Sequence, residues 1–259
     1  MTVISPLRIG RLAQVNPVAK LAAVLVISVT LILTIDWVSA AVALALECLL
    51  LAWARLPLRS VFIRTLPLLI AAPLAGLTTV LYGQPGGQTY WQWWAVQVSD
   101  GSIALGIATT LRILAVGIPA IVLFITIDPT DLADGLAQIV HLPARFVLGA
   151  LAALRLAGLF IEDWRALELA RRARGIADRG RLRRLVSVAF ALLVLSIRRG
   201  SKLATAMEAR AFDAPVARTW ARPSVFAGRD WIVIGLGGVV AASAVLVSIA
   251  AGSWNFVLG

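Results

Sequence analysis

The chain has 259 residues, of which 60% are hydrophobic and 14% charged, against roughly 25% charged in an average soluble domain. Its apolar residues fall in blocks long enough to enter a bilayer, which excludes an ordinary soluble protein and predicts an all-α, polytopic membrane protein. Of its 24 basic residues seventeen, and of its 13 acidic residues nine, lie between Asp128 and Arg229; this wet, positive segment has no nucleic-acid-binding signature, so anionic lipid heads and an acidic partner surface are the expected counterparts and nucleic acid is not.

The opening MTVISPLRIGRLAQVNPVAK lacks the charged region, apolar core and cleavage site of a signal peptide. The first apolar block, Val18 to Ile35, follows Asn16-Pro17, where Asn can cap the helix and Pro occupies its first turn without loss. Asp36-Trp37 breaks the run, and a second block covers Val38 to Trp53, so two short spans are expected in place of one long helix. Glu47 lies inside the second block. A buried acid there is either functional or a tie between helices. Its neighbour Cys48 is the single cysteine; it can form no internal disulfide and is expected to pack in the apolar run.

Ala54 to Arg64 carries three Arg residues and reads as a cytoplasmic turn with a surface-lying helical stretch. A third span, near Thr65 to Tyr82, holds Pro67 and Pro73 and should be kinked. Between Gly83 and Gly101 there is no Lys or Arg, and Tyr90, Trp91, Trp93 and Trp94 cluster. Such a loop should face outward along the membrane interface. The fourth span, Ile103 to Ile127, contains Arg112 and Pro119; Arg112 either sits near the outer interface or faces protein. With Arg8, Arg11 and Lys20 inside, four spans (residues 1–127) return the chain to the cytoplasm at Asp128.

The segment from 128 to 229 then reads as a cytoplasmic module. DPTDLADGLAQIV is a short amphipathic helix ended by His141-Leu142-Pro143. His141 is the only histidine, so no His-based metal cluster or triad can be assembled from this chain, and no Gly-rich phosphate loop is present. Ala144 to Ile161 carries Arg145 and Arg155 and is expected to pack sideways under the bundle. Two Arg-rich helices follow, EDWRALELARRARGIADRG and SKLATAMEARAFD, the first supported by Glu168 pairing with Arg171 and Arg172, the second capped by Ser201. Leu185 to Ile197 between them is 13 residues, too short to cross, and is expected to be buried. In each Arg-rich segment, an Arg sits between two small residues just past an apolar helical stripe: Ala173-Arg174-Gly175 and, 36 positions later, Ala209-Arg210-Ala211. An Arg so framed can approach another protein closely and present a rigid fork of donors. Residues 230–259 hold the last of five spans, Trp231 to Ile249, with Gly235, Gly237 and Gly238 as a close-packing face.

In these two signatures, in VNPVAKL, in FITIDPTDLADGLAQIVHLPARF and in the closing single span, the chain resembles the transmembrane T component of energy-coupling factor (ECF) transporters for vitamins and metal ions such as cobalt. The resemblance covers essentially the whole chain. It implies a non-catalytic subunit of the cell membrane, N-terminus cytoplasmic and C-terminus outside, in which two crossing coupling helices each dock an Ala-Arg-Gly signature into one of two ABC-type ATPase subunits. The partners implied are those ATPases, which bind the ATP and Mg, and a substrate-binding membrane (S) subunit; this chain itself would bind no cofactor. The alternative, a self-contained channel or secondary transporter, requires paired broken helices or an inverted repeat, and the unequal spans show neither. The second signature departs from the family by ending in Ala211. Ala allows docking from a right-handed helical backbone; a requirement for positive φ would put it at risk.

Overall fold

The computed structural model describes residues 14–254 apart from 35, 55, 84–85, 94–95, 176–179, 213 and 215–218. Arg8, Arg11, Trp94, Asp213, Pro215 and the closing residues 255–259 lie outside the described residues. The helices are α1 (Pro17–Ile32), α2 (Trp37–Trp53), α3 (Leu58–Tyr82), α4 (Asp100–Thr126), α5 (Pro129–Gln138), α6 (Ala144–Ala173), α7 (Arg181–Ala209) and α8 (Gly228–Ala250), with strands β1 (Thr89–Trp93) and β2 (Val96–Ser99) between α3 and α4. They divide into two compact units, Met1–Gly135 with Ser224–Gly259, and Leu136–Pro223. The chain is a multi-pass, essentially all-α membrane protein.

In the first unit α1, α2, α4 and α8 meet around Ile27, Leu31, Ala43, Ala115, Val240 and Ala244. Half of that cluster is alanine, so the helix axes approach closely, as lipid-embedded bundles require in the absence of a hydrophobic drive between helices. Gly237 lets α8 onto α1: a Cβ there would stand 2.9 Å from the Cα of Ala23. The expected face of three glycines reduces to this one, because Gly235 and Gly238 face open space. Gly76 and Gly106 do the same for α3 on α4, each lying where a Cβ would meet the other's carbonyl at 2.7 to 2.8 Å.

The break between α1 and α2 is where the sequence places it. Asn16 accepts the Val18 N–H at 3.0 Å as the α1 cap, and Asp36 caps α2 by accepting the Ser39 N–H at 2.7 Å. Two other boundaries differ. The Arg-rich Ala54 to Arg64 stretch is not a separate surface helix; α3 starts at Leu58 and runs through Pro67 and Pro73 without ending. The Trp-rich loop is an antiparallel β-hairpin, Trp93 opposite Val96, with a register irregularity between Thr89 and Trp91. Its aromatic and β-branched residues suit strands, and the hairpin is anchored at α4 by a reciprocal Ser99–Ser102 cap. Asp100 accepts the Tyr90 hydroxyl at 2.8 Å, which raises the phenol's pKa.

Four helices, α3, α4, α6 and α8, are long and apolar enough to cross a membrane by length and composition; α1 and α2 are shorter apolar helices of 16 and 17 residues. The sequence reading counted α1 and α2 as spans and left the apolar start of α6 outside. α6 joins the length criterion because its apolar half and its Arg-rich half form one uninterrupted helix of 30 residues. Cys48, expected to pack, is exposed on α2.

Candidate functional site

The second unit is built from two long helices. α7 fuses what the sequence suggested as a buried apolar helix and a separate docking helix: Leu185 to Ile197 and Ser201 onward are one run of 29 residues, so Ser201 caps nothing. Nor is the apolar stretch buried throughout. Val188 and Leu192 are, but Leu185, Val186, Phe190, Leu193 and Ile197 are exposed.

Charge pairs tie α6 to α7. Arg184 donates to Glu168 at 2.6 Å, Arg199 forms a two-pronged pair with Asp163 and Arg171 donates to the Ser187 hydroxyl at 3.0 Å. Glu168 therefore bonds across the helix pair, not to Arg171 and Arg172 on its own helix. Asp163 pairs with Arg199, far along α7, whereas Glu168 and Arg171, nearer the end of α6, meet Arg184 and Ser187 near the start of α7. The two helices thus run in opposing senses, and their C-terminal ends point away from each other. At about 1.5 Å rise per residue the two ends lie on the order of 30 to 40 Å apart.

Both signature arginines occupy those ends. Arg174 is the C-cap of α6 (φ −88, ψ 4) and Arg210 the C-cap of α7 (φ −96, ψ 12). Both are exposed, and neither guanidinium has a hydrogen-bond or ion-pair partner among the described residues. The residue after each arginine is left-handed, Gly175 at φ 67 and Ala211 at φ 52. Ala211 thus takes the positive φ that was named as the condition putting its signature at risk. After α7 the Ala211 N–H bonds Glu208 O at 2.9 Å and the Phe212 N–H bonds Met207 O at 3.0 Å, a full Schellman closure; after α6 the Gly175 N–H makes the equivalent inner bond to Arg172 O at 3.0 Å. The turn carries the chain off the helix axis and leaves Ala173-Arg174 and Ala209-Arg210 as bare tips, with a cation at the end of the helix that favours one.

Other polar groups lie in the membrane unit. Asp230 is 1% exposed and accepts the backbone N–H of Asn16 and of Ala227, each at 2.7 Å, while the Asn16 amide donates to Ser224 and Val225. Lys20, 6% exposed, donates to the Thr126 carbonyl at 3.3 Å and interacts with the charges of Asp131 and Asp230. Asp36, besides capping α2, accepts the Ser39 and Ser248 hydroxyls at 2.6 Å, and its charge acts on Arg112 of α4. Arg112 therefore faces protein, although its Nε and one Nη have no hydrogen-bond partner. Both Glu47 oxygens are likewise buried and unpartnered.

A family profile described as cobalt transport protein, CbiQ, matches residues 11–219. The chain belongs to that family. It is 27% identical to the energy-coupling factor transporter transmembrane protein EcfT of Limosilactobacillus fermentum, over 67% of this chain and 72% of that protein. It is 28% identical to the EcfT of Bacillus selenitireducens over 85% and 87% of the two chains, and 29% identical to that of Brevibacillus brevis over 66% of each. The chain is thus a transmembrane T component of the ECF type.

Within this T component the two arginine signatures, read from sequence alone, fall at equivalent structural positions. What the sequence reading missed is the network that fastens VNPVAKL to α8. Its signal was Lys20 in the first turn of an otherwise apolar helix, taken only as a topology marker, together with Asp230 at the start of α8.

Proposed function

We propose that this T component couples ATP hydrolysis by two ABC-type ATPase subunits to the movement of a substrate-binding S subunit that carries a vitamin or a metal ion. The observation that carries the reading is the pair of tips. Two exposed arginines, each the C-cap of a long helix and each followed by a left-handed small residue, stand at opposite ends of one ion-paired unit. A single partner would be served by one tip; two alike tips this far apart suit two like partners. Each tip would enter a groove on one ATPase and meet carboxylates or carbonyl oxygens there, and the helix pair would carry the motion between them as a rigid lever.

In this reading residues 128–229 face the cytoplasm, with the N-terminus inside and the C-terminus outside. The exposed apolar face of α7 and the apolar half of α6 supply surface against which the S subunit moves. ATP and Mg belong to the ATPases, and the transported solute is held by the S subunit. Affinity purification of the full-length chain from its native membrane, with the co-purifying chains identified by mass spectrometry, tests the reading. Two ABC ATPases (or two copies of one) and a small integral membrane protein are expected. A chain that purifies alone while supporting solute uptake by itself would overturn it.

A further inference from the structure

We propose that Asn16 is a positioning residue whose side chain fastens together the two places where the chain leaves the first compact unit and returns to it. The chain passes between the units twice, at Gly135–Leu136 within α5 and at Pro223–Ser224. Capping α1 uses only half of the Asn16 amide: its Oδ1 accepts the Val18 N–H, and Ser or Asp would cap as well. The other half serves the returning segment. Asn16 Nδ2 donates to Ser224 Oγ at 3.1 Å and to the Val225 carbonyl at 3.2 Å. The outgoing segment lies against the same side chain: a Cβ at Gly135 would stand 3.4 Å from Asn16 Oδ1 and 3.6 Å from Ser224 Oγ.

The surroundings make Asn16 a fixed point. It is 9% exposed, and its backbone N–H is held at 2.7 Å by Asp230, whose carboxylate also takes the Ala227 N–H at the start of α8. Gly135 comes this close only for want of a side chain, since a Cβ there would also meet Val18 Cγ2 at 2.6 Å. Inside the second unit the same two segments are tied again, by Gln138 Nε2 donating to the Arg222 carbonyl at 2.9 Å. That bond is exposed, and exposed hydrogen bonds open readily; the part-buried Asn16 amide is the firmer tie. Two connections free to move independently would absorb a displacement, whereas two held at one point act as a single hinge. The geometry stands without the coupling reading, but the use of the hinge rests on it: motion imposed at the two arginine tips would reach the bundle through this joint.

The test uses the full-length chain in lipid nanodiscs, spin-labelled at the native Cys48 of the first unit and at Lys202→Cys of the second, both exposed positions. The distribution of distances between the labels is read by double electron–electron resonance. Asn16→Ser keeps a capping oxygen for α1 and removes both donors to the returning segment. It should retain wild-type helicity and cooperative thermal unfolding, yet widen the distance distribution at least about twofold. Arg229→Ala, which removes the neighbouring exposed bond to Gln14, should keep the wild-type width. An unchanged width in Asn16→Ser, or equal widening by Arg229→Ala, overturns the proposal. Should Asn16→Ser fail to fold, Ser224→Ala, which takes away one of the two acceptors, is judged by the same criterion. No ATPase takes part, so an unchanged width counts against the joint alone, and failure to recover ATPases on the wild-type chain counts against the coupling reading alone.

Discussion

At Ala211 the backbone asks for a residue the sequence does not supply. A non-glycine residue in the left-handed region costs about 1 to 2 kcal/mol, and Ala211 sits there at φ 52, held by the two closing bonds after α7. Replacing it with Gly removes that strain but frees the unfolded chain, which returns about 0.4 to 1 kcal/mol. Ala211→Gly should therefore stabilise the protein by about 0.5 to 1 kcal/mol. Gly175→Ala, at φ 67 with open space around the new methyl, should destabilise it by a similar amount. Thermal melts of the detergent-solubilised protein check both; a lower melting temperature for Ala211→Gly would show that the methyl itself makes a contact worth more than the strain. The equivalent Gly175 at the end of α6 meets the same backbone requirement without strain. Alanine meets it at a cost in stability while leaving Arg210 on an equivalent tip.

At the scale of helices, the elements with local signals were legible in the sequence and the elements that depend on continuity were not. Asn16-Pro17 and Asp36 mark helix starts through their own side-chain chemistry, and the structure has caps at both. An arginine between small residues is likewise a local pattern, and Arg174 and Arg210 both fall at helix C-caps. What failed was the joining of segments. Charge and apolar blocks alternate along α6 and α7, and composition reads each change as a boundary; yet nothing between Ile161 and Glu162 breaks a helix, and Gly200, before Ser201, weakens one without ending it, so each pair of blocks is one rod. Gly235, Gly237 and Gly238 show the same limit. A run of small residues indicates close packing without saying which one touches. Gly237→Ala must push α8 away from Ala23 of α1, whose Cα, Cβ and carbonyl oxygen all lie within about 3.0 Å of the added carbon, and should destabilise by about 1 to 3 kcal/mol. Gly238→Ala, with nothing near it, should be neutral or slightly stabilising. Equal melting temperatures for the two variants would contradict the packing described for α1 and α8.

For the whole molecule, orientation and coupling are the two matters to test. In a Cys48→Ser background, which should itself transport like wild type because Cys48 is exposed on α2, a cysteine at Gln88 should react with a membrane-impermeant thiol reagent added outside intact cells. One at Lys202 of α7 should react only after the membrane is opened. The reverse pattern would invert the orientation. The central claim is that Arg174 and Arg210 anchor the two ATPases. Removing a desolvated interfacial cation costs about 2 to 5 kcal/mol because its partner is left buried and unpaired, whereas a solvated surface arginine is worth under about 1 kcal/mol. Lysine should rescue only in part, since the planar fork is lost. The decisive measurement is recovery of the ATPases on immobilised full-length chain carrying Arg174→Ala, Arg210→Ala, both changes, or the control Arg198→Ala on the exposed flank of α7. Each single change should weaken attachment at least about tenfold, the double change should nearly abolish it and the control should bind like wild type; a double variant that retains both ATPases, with ATP-driven uptake intact, would contradict the account.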